Sequence, residues 1–261
     1  MSYDLIIFEK SNMPTGRTGF LNWYDKKMEC DDGQDISFTS EKLQKAFHAL
    51  RNIFPPINGS FAPGNKVLSE TPEMKKYLCD YFITEDMISL SFSYSIVEFA
   101  YNTVKRAAYF SDVGFFNPND SSFPMFLGNR CPMLLEGQWF QPKEIDRFDS
   151  VKERLSSMTV KNRSYLYVTD QIGNYIQVGG YKDSFTVEKR VYMTPTAYTH
   201  CKAGYCGTGY SSNLSAIIIA ENSVKLKQNQ ILSKFTVELL FLDFFQNVET
   251  VSSIEWTEMD M

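Results

Sequence analysis

The pattern of hydrophobic and polar positions in the first 116 residues predicts a strand, two helices, a hairpin, a third helix and a last strand, in that order. "YDLIIF" from Tyr3 is an apolar run typical of a central strand, and "RTGFLNWYDKKME" and "TSEKLQKAFHALRNIF" repeat apolar residues at helical spacing. "CDYFIT" and "MISLSFS" predict a hairpin. "SIVEFAYNTVKRAAYF" predicts a helix in which Ser95 and Glu98 have the spacing of a capping box, and "VGFF" predicts a strand. This order predicts helices that cover one face of a small sheet.

The pattern changes after residue 116. Residues 117–143 are rich in Pro, Gly and Asn but keep many apolar side chains, which predicts an ordered connection and not a free linker. "IDRFDSVKERLSSM" then has helical spacing, and "SYLYVTD", "NYIQVGG" and "FTVEKRVYM" predict an antiparallel meander that "SAIIIA" and "VKLKQNQ" continue. A helix, "KFTVELLFLDFFQN", and a short strand, "IEWTEMD", complete the chain.

These patterns predict an α+β fold with two small domains, each an antiparallel or mixed sheet with helices packed on one face. We expect an N-terminal domain at residues 1–116, an ordered connecting segment at 117–143 and a C-terminal domain at 144–261. With 261 residues, of which 43% are hydrophobic, the chain is long enough to bury two such cores.

The net charge of −5 makes nucleic acid a poor partner, because binding a phosphate backbone requires clustered Lys and Arg. The same charge attracts a protein with a basic surface. The N-terminus lacks a signal-peptide pattern, and the longest apolar run is interrupted by Glu238 and Asp243, so we expect no membrane partner. Five cysteines at irregular spacings predict reduced thiols, and we expect a cytoplasmic protein.

One stretch, "HCKAGYCGTGY" from His200 to Tyr210, concentrates the residues that could carry chemistry. His200, Cys201 and Cys206 are candidate metal ligands. Adjacent residues of an extended segment point to opposite faces, however, and no second Cys/His pair lies nearby, so we expect no metal site and no cofactor. The glycines lack the strand-loop-helix context of a phosphate-binding loop. The stretch is more typical of a β-hairpin or a bulged loop.

A thiol enzyme needs a cysteine within hydrogen-bond reach of a base, and Cys206 and His200 could meet across a tight hairpin. A nucleophile elbow requires a strand followed by a helix, whereas β-rich sequence flanks both sides here. We therefore expect no catalytic residue and no enzyme. The tail after Lys234 is a candidate landing site for a basic partner, and its carboxylates are Glu238, Asp243, Glu249, Glu255, Glu258 and Asp260.

Several segments resemble known families. The first half, with "MSYDLIIF", "FPPINGS", "TEDMISLSFSYSIVEFAYNTV" and "VGFFNP", resembles uncharacterised bacterial proteins linked to toxin loci. The second half, with "GNYIQVGG", "FTVEKRVYM", "VKLKQNQILS" and a terminal Trp256, is similar to Imm1-type immunity proteins of polymorphic toxin systems. The resemblance implies a cytoplasmic protein that binds and blocks one cognate toxin delivered by contact-dependent inhibition or type VI secretion, and it implies no catalytic motif.

We therefore expect an immunity protein that occludes the active site of a toxin with a basic surface. Loop aromatic residues and nearby carboxylates of the second domain are the expected contacts, because interfaces concentrate binding energy in aromatic and Arg anchors. Two alternatives stay open: an enzyme that uses Cys206 and His200, and a ligand-binding or assembly module with a pocket between the domains. The expected toxin-binding residues are Tyr181, Tyr205, Tyr210, Asp170, Asp183 and Glu188.

Overall fold

The chain folds as two compact units of helices and antiparallel sheets, so the predicted α+β class is confirmed. The N-terminal unit contains Met1–Asn129 with Thr194–Thr196, and the C-terminal unit contains Arg130–Met193 with Ala197–Met261. The computed structural model describes residues 2–14, 16–29, 35–120, 124–125, 132–160, 163–207, 209–211 and 213–259.

The N-terminal unit is built around a four-stranded antiparallel sheet. Its elements are β1 (Tyr3–Phe8), α1 (Arg17–Met28), α2 (Glu41–Arg51), α3 (Asn65–Glu70), β2 (Asp80–Thr84), β3 (Met87–Phe92), α4 (Val97–Phe110) and β4 (Gly114–Phe116). The strand order is β2-β3-β1-β4, with β1 between two neighbours and β2 and β3 joined as a hairpin. The central strand and the hairpin that the sequence predicts are both present.

Helices cover both faces of this sheet. Leu5 of β1 belongs to an apolar cluster with buried residues of α2 and α4. Phe8 of the same strand lies on the other face, where it packs against Phe20 of α1 with ring centroids 5.1 Å apart. Helices α2 and α4 share one face, as the sequence predicts, whereas α1 packs on the opposite face. A strand that is apolar on both sides needs a cover on each, which explains the position of α1.

Helix α4 begins in a way that the sequence does not predict. Tyr94–Ile96 form a short 3-10 turn, and the Ser93 hydroxyl accepts a hydrogen bond from the Ser95 N–H at 3.4 Å. Helix α4 starts directly after this turn without a side-chain cap. The predicted capping box of Ser95 and Glu98 is wrong, because Ser95 belongs to the turn before the helix.

The C-terminal unit contains nine strands and two helices in the part of the chain that the structure describes. Its elements are β5 (Met133–Gly137), β6 (Phe140–Ile145), α5 (Asp149–Ser156), β7 (Tyr165–Thr169), β8 (Tyr175–Tyr181), β9 (Ser184–Tyr192), β10 (Tyr198–Tyr205), β11 (Leu214–Ile219), β12 (Asn222–Lys227), α6 (Lys234–Gln246) and β13 (Ile254–Glu258). Seven strands form one antiparallel sheet in the order β13-β10-β9-β8-β7-β5-β6, and β11 pairs with β12.

Strands β5 and β6 differ from the sequence expectation, since β5 and most of β6 lie within the expected connecting segment 117–143. Strand β5 pairs with β6 and with β7, where Leu135 lies opposite Val168. Leu135 is buried in the core of the C-terminal unit. The apolar residues of this stretch therefore belong to a sheet, and helix α5 starts only at Asp149, after β6 has ended.

The hairpin β11–β12 lies apart from the seven-stranded sheet, whereas the sequence predicts that both segments continue the meander. It packs against β8, and Cδ1 of Ile219 lies 2.5 Å from the position that a Cβ atom on Gly179 would take. The N–H of Ala220 donates a hydrogen bond to the Ser164 hydroxyl at 2.7 Å. Because Gly179 has no side chain, Ile219 can pack directly against the backbone of β8, and this contact helps to position the hairpin.

Helices α5 and α6 pack on one face of the seven-stranded sheet, and this face forms the apolar core of the unit. Side chains of a strand alternate between faces, so the intervening residues of β7 to β10 lie on the opposite face. The buried strand residues of the apolar face are Leu135, Ile145, Leu166, Val168, Ile176, Val178, Phe185, Val187 and Ala203.

The longest apolar run of the sequence is helix α6. The Ser233 hydroxyl caps its start by accepting a hydrogen bond from the Thr236 N–H at 3.2 Å. Asp243 is buried on this helix, and its carboxylate accepts hydrogen bonds from the N–H and hydroxyl of Thr250 at 2.7 and 2.6 Å. Within the described ranges, no helix combines the length and the apolar character that crossing a membrane requires.

Candidate functional site

The stretch from His200 to Tyr210 is mostly a strand. Its first part, through Tyr205, belongs to β10, which pairs with β9 on one side and β13 on the other. The predicted hairpin or bulged loop is therefore wrong for residues 200–205, because both edges of this strand are already paired. A turn follows only at Gly207, whose φ of +121° favours glycine.

The thiol and the imidazole of the enzyme alternative are not close. His200 and Cys206 are six positions apart along an extended strand, which rises about 3.4 Å per residue and so separates them by roughly 20 Å. Cys206 is exposed, and its sulfur lies 3.9 Å from the carbonyl oxygen of Ser252. Cys201 is adjacent to His200 on the strand, so its side chain points to the opposite face of the sheet. The structure brings no cysteine to the imidazole among the described residues.

The remaining cysteines lie elsewhere. Cys79 is buried in the N-terminal unit, where burial raises the pKa of its thiol well above the ordinary value. Cys30 and Cys131 lie outside the described residues. Among the residues that are described, no group of three or more His, Cys, Asp or Glu side chains is placed to hold a metal ion.

Tyr205 and Tyr210, two of the expected contact residues, lie against each other at the start of α6. The Tyr205 hydroxyl is 2.8 Å from Oγ1 of Thr236 and accepts a hydrogen bond from the Ser233 N–H at 3.2 Å. Burial alone raises the pKa of Tyr205, but the hydrogen bonds with Ser233 and Thr236 outweigh it and leave the pKa below its ordinary value. Tyr210 is exposed. Tyr205 thus supports the fold, and Tyr210 is the ring a partner can reach.

Three other expected contact residues lie at hairpin turns. Oδ1 of Asp170 accepts hydrogen bonds from the N–H groups of Ile172 and Asn174, each at 2.9 Å, and so shapes the β7–β8 turn. Burial raises the pKa of Asp170, and these hydrogen bonds act in the opposite direction. Tyr181 ends β8, and Asp183 is exposed in the turn that follows. The carboxylate of Asp170 is therefore used within its turn, whereas the side chain of Asp183 is accessible to a partner.

Glu188, the last expected residue, lies in a patch of polar and aromatic side chains on the face of the sheet opposite α5 and α6. The register places these side chains in rows across β8, β9 and β10, in which each row contains residues that lie directly opposite one another on neighbouring strands. We call this patch the Arg190 face. Its rows are Gln177, Glu188 and Lys202; Tyr175, Arg190 and His200; and Tyr192 and Tyr198.

Glu188 connects the first row. Its carboxylate accepts a hydrogen bond from Nε2 of Gln177 at 2.6 Å, forms an ion pair with Nζ of Lys202 at 3.0 Å and lies 3.5 Å from Nε2 of His200. The Glu188 side chain is only 15% exposed. Because its oxygens are used within the face, Glu188 fixes its neighbours and does not offer a separate carboxylate to a partner.

Arg190 connects the second row. Its guanidinium lies over the ring of Tyr198, 4.3 Å from the centroid, and over the ring of Tyr175, 5.1 Å from the centroid. The Tyr175 ring is edge-on to His200 at 5.9 Å, and the Tyr198 ring is edge-on to Tyr192 at 5.3 Å. Nε of Arg190 is buried and has no hydrogen-bond partner among the described residues. The guanidinium of Arg190 is therefore positioned by the two tyrosine rings and not by a hydrogen-bond acceptor of Nε.

The acidic tail does not form one continuous surface. Asp243 is buried on α6, Glu249 binds Lys189 at 2.6 Å, and Glu238 lies 4.0 Å from Lys234. These carboxylates serve local contacts. The other tail carboxylates are Glu255 and Glu258, which are exposed on the edge strand β13, and Asp260, which lies outside the described residues.

The Arg190 face contains residues that the sequence analysis did not select, above all Tyr175, Arg190 and Tyr198. The alternation in "NYIQVGG" and "FTVEKRVYM" contained a usable signal, because it places the polar residues of each strand on one side. Which polar residues become cross-strand neighbours depends on the register, and the register depends on turn lengths that the sequence pattern fixes poorly.

No protein-family model and no curated protein matches this chain. The geometry of the Arg190 face and the sequence resemblance are therefore the grounds for a function.

Proposed function

We propose that the chain is an immunity protein that binds one cognate secreted bacterial toxin and neutralises it by covering the active site of the toxin. The Arg190 face is the surface that we assign to this contact. The observation that carries the proposal is the cluster of Tyr175, Arg190 and Tyr198, in which a guanidinium lies over two tyrosine rings on the side of the sheet opposite the helices.

The composition of this face supports protein binding. Tyr and Arg are enriched among the residues that contribute most to interface energy, and charged pairs around them add specificity. The rings of Tyr175 and Tyr198 already contact Arg190, so little rotamer freedom is left to lose when a partner binds. A preorganised aromatic surface of this kind suits tight recognition of one partner.

The sequence resemblance supports the same surface. "GNYIQVGG" and "FTVEKRVYM", which resemble segments of Imm1-type immunity proteins, form most of β8 and β9. These strands contribute Gln177, Glu188 and Arg190 to the Arg190 face. The segments that carry the resemblance therefore include Tyr175 and Arg190, whereas Tyr198 lies outside them on β10.

The proposed partner is a toxin domain delivered by contact-dependent inhibition or by type VI secretion, and the complex would form in the cytoplasm. A net charge of −5 would speed its encounter with a toxin that has a basic surface. The enzyme alternative loses its geometric support, since Cys206 follows the last residue of β10 whereas His200 lies near the start of that strand.

The experiment first determines whether a large secreted protein is encoded beside this chain, and then pairs the chain with the C-terminal domain of that protein. Co-expression in a susceptible strain measures protection, and co-purification followed by calorimetry measures Kd. Arg190→Ala and Tyr198→Ala are expected to weaken binding by roughly thirtyfold each, which corresponds to the 2 kcal/mol typical of an interface anchor.

Arg154→Ala is the matched control, because the Arg154 guanidinium also lies over an aromatic ring, that of Phe140, at 4.8 Å. This variant should protect as well as the unaltered chain. The proposal is overturned if the unaltered chain neither protects nor co-purifies. If Arg190→Ala and Tyr198→Ala bind like the control, the assignment of the contact to the Arg190 face is wrong.

A further inference from the structure

We infer that Arg190 is a receptor for a single carboxylate, and that in the complex this carboxylate is an Asp or Glu side chain of the partner. The identity of the partner rests on the proposed function. The anion-binding property of Arg190 does not, because it follows from the contacts of this side chain within the C-terminal unit.

The guanidinium of Arg190 is fixed in place by aromatic rings. It lies over the ring of Tyr198 at 4.3 Å and over the ring of Tyr175 at 5.1 Å. Contacts with aromatic faces hold the plane of a guanidinium while they leave its N–H groups, which point outward in that plane, available. An arginine held in this way has already lost the freedom that it would otherwise lose on binding an anion.

Arg190 has a donor that no described residue accepts from. Its Nε is buried without a hydrogen-bond partner, although most buried polar groups in proteins have one. The nearest acidic residue along the strand, Glu188, is occupied by Lys202 at 3.0 Å and Gln177 at 2.6 Å. No ion pair links Arg190 to a carboxylate among the described residues. Because the Arg190 side chain is only partly buried, an acceptor that reaches its Nη groups would pair with a charge to which the described residues offer no acceptor.

Shape and charge indicate which kind of anion Arg190 would bind. A carboxylate is planar and matches the fork of a guanidinium with two parallel hydrogen bonds. Glu188 lies two positions from Arg190 on the same face, and the chain as a whole has a net charge of −5. Both features disfavour a dianion or a polyanion relative to a singly charged group. The flanking tyrosine rings favour an anion that is attached to an apolar stem.

The test measures anion binding to the full chain without any toxin. Arginine side chains are labelled with ¹⁵N, the Nε–H signal of Arg190 is assigned by its loss in Arg190→Lys, and sodium acetate is titrated at constant ionic strength against sodium chloride. We expect a saturable shift of the Arg190 signal with acetate and no comparable shift of the Arg154 signal. Sodium phosphate forms a third arm.

The inference is overturned if acetate leaves the Arg190 signal unchanged, if Arg154 shifts in parallel with it, or if phosphate saturates the signal at a lower concentration than acetate. Should Arg190→Lys fail to fold, as judged by circular dichroism, Arg190→Gln supplies the assignment and the titration of the unaltered chain remains the test. Failure to bind a toxin would leave this result standing, so the two proposals fail separately.

Discussion

The rings of Tyr205 and Tyr210 lie nearly parallel, with centroids 6.1 Å apart and 13° between their planes. The two tyrosines have different neighbours. The Tyr205 hydroxyl is tied to Ser233 and Thr236 at the start of α6, whereas Tyr210 is 41% exposed. One ring of the stack thus anchors the loop to the helix, and the other is presented to solvent.

This difference predicts unequal effects of removing each hydroxyl. Tyr205→Phe should lower the free energy of unfolding by about 1–2 kcal/mol, because the Ser233 N–H loses its acceptor. Tyr210→Phe should change it by less than about 0.5 kcal/mol, as is usual for exposed positions. Urea denaturation followed by circular dichroism measures both. Equal effects of the two substitutions would contradict the anchoring role of Tyr205.

The two aspartates of successive hairpin turns offer a second matched pair. Asp170→Ala should destabilise the C-terminal unit by about 1–3 kcal/mol, because the N–H groups of Ile172 and Asn174 lose the carboxylate that accepts from them. Asp183→Ala should stay within about 0.5 kcal/mol, since Asp183 is exposed. Thermal and urea unfolding of the two variants tests this. A neutral Asp170→Ala would show that the turn holds without its side chain.

The contact between the β11–β12 hairpin and β8 predicts that the effect of Gly179→Ala on stability depends on the side chain at position 219. Gly179→Ala should cost about 1–3 kcal/mol, because its Cβ would lie 2.5 Å from Cδ1 of Ile219. In an Ile219→Ala background the clash disappears, and Gly179→Ala should then be neutral or stabilise by about 0.5 kcal/mol, since glycine is unfavourable inside a strand. A double-mutant cycle of unfolding free energies measures the coupling. Additive effects would place the hairpin elsewhere.

Asp112 predicts a dependence of stability on pH in the N-terminal unit. Hydrogen bonds from Lys10 at 2.8 Å and Lys42 at 2.6 Å lower the pKa of Asp112 from 3.8 to about 2. A carboxylate whose pKa is lower in the folded state contributes stability above its unfolded pKa, and loses that contribution as the pH falls through its folded pKa. The contribution should therefore be complete above about pH 4 and absent below about pH 2.

The measurement compares Asp112→Asn with the unaltered chain. Asparagine suits the positive φ of 56° at this position, so the substitution removes charge without backbone strain. Because the Asp112 side chain is 65% exposed, the difference in unfolding free energy at pH 7 should stay below about 1 kcal/mol and shrink in 1 M salt. A difference that grows between pH 4 and pH 2 would have the wrong sign.

Periodicity alone was enough to predict the fold class and most elements. Ile176 and Val178 alternate with Tyr175 and Gln177, so β8 and its meander follow directly from the pattern. The capping box at Ser95 failed because two serines compete for the same turn, and local sequence does not decide which one forms the cap. The place of β5 and β6 in the sheet depends on pairing with β7, a long-range contact.

The candidate site was predictable only in part. Glu188 was selected for its charge, and the structure places it in the Arg190 face. Arg190 gave no sign of its importance, because its two ring contacts come from β8 and β10 and require the register of three strands. Asp170 looked like a charged loop residue, and only its contacts with Ile172 and Asn174 identify it as part of a turn.

Strand β9 separates two kinds of structural constraint at neighbouring positions. Val187 is buried in the core, while Glu188 and Arg190 lie on the opposite side of the same strand. If the Arg190 face contacts a partner as proposed, changes at the outward positions would alter which partner is accepted while the inward positions keep the scaffold intact. On that proposal, a lineage that carries this gene would follow a diversifying toxin through a few substitutions, without having to find a new fold.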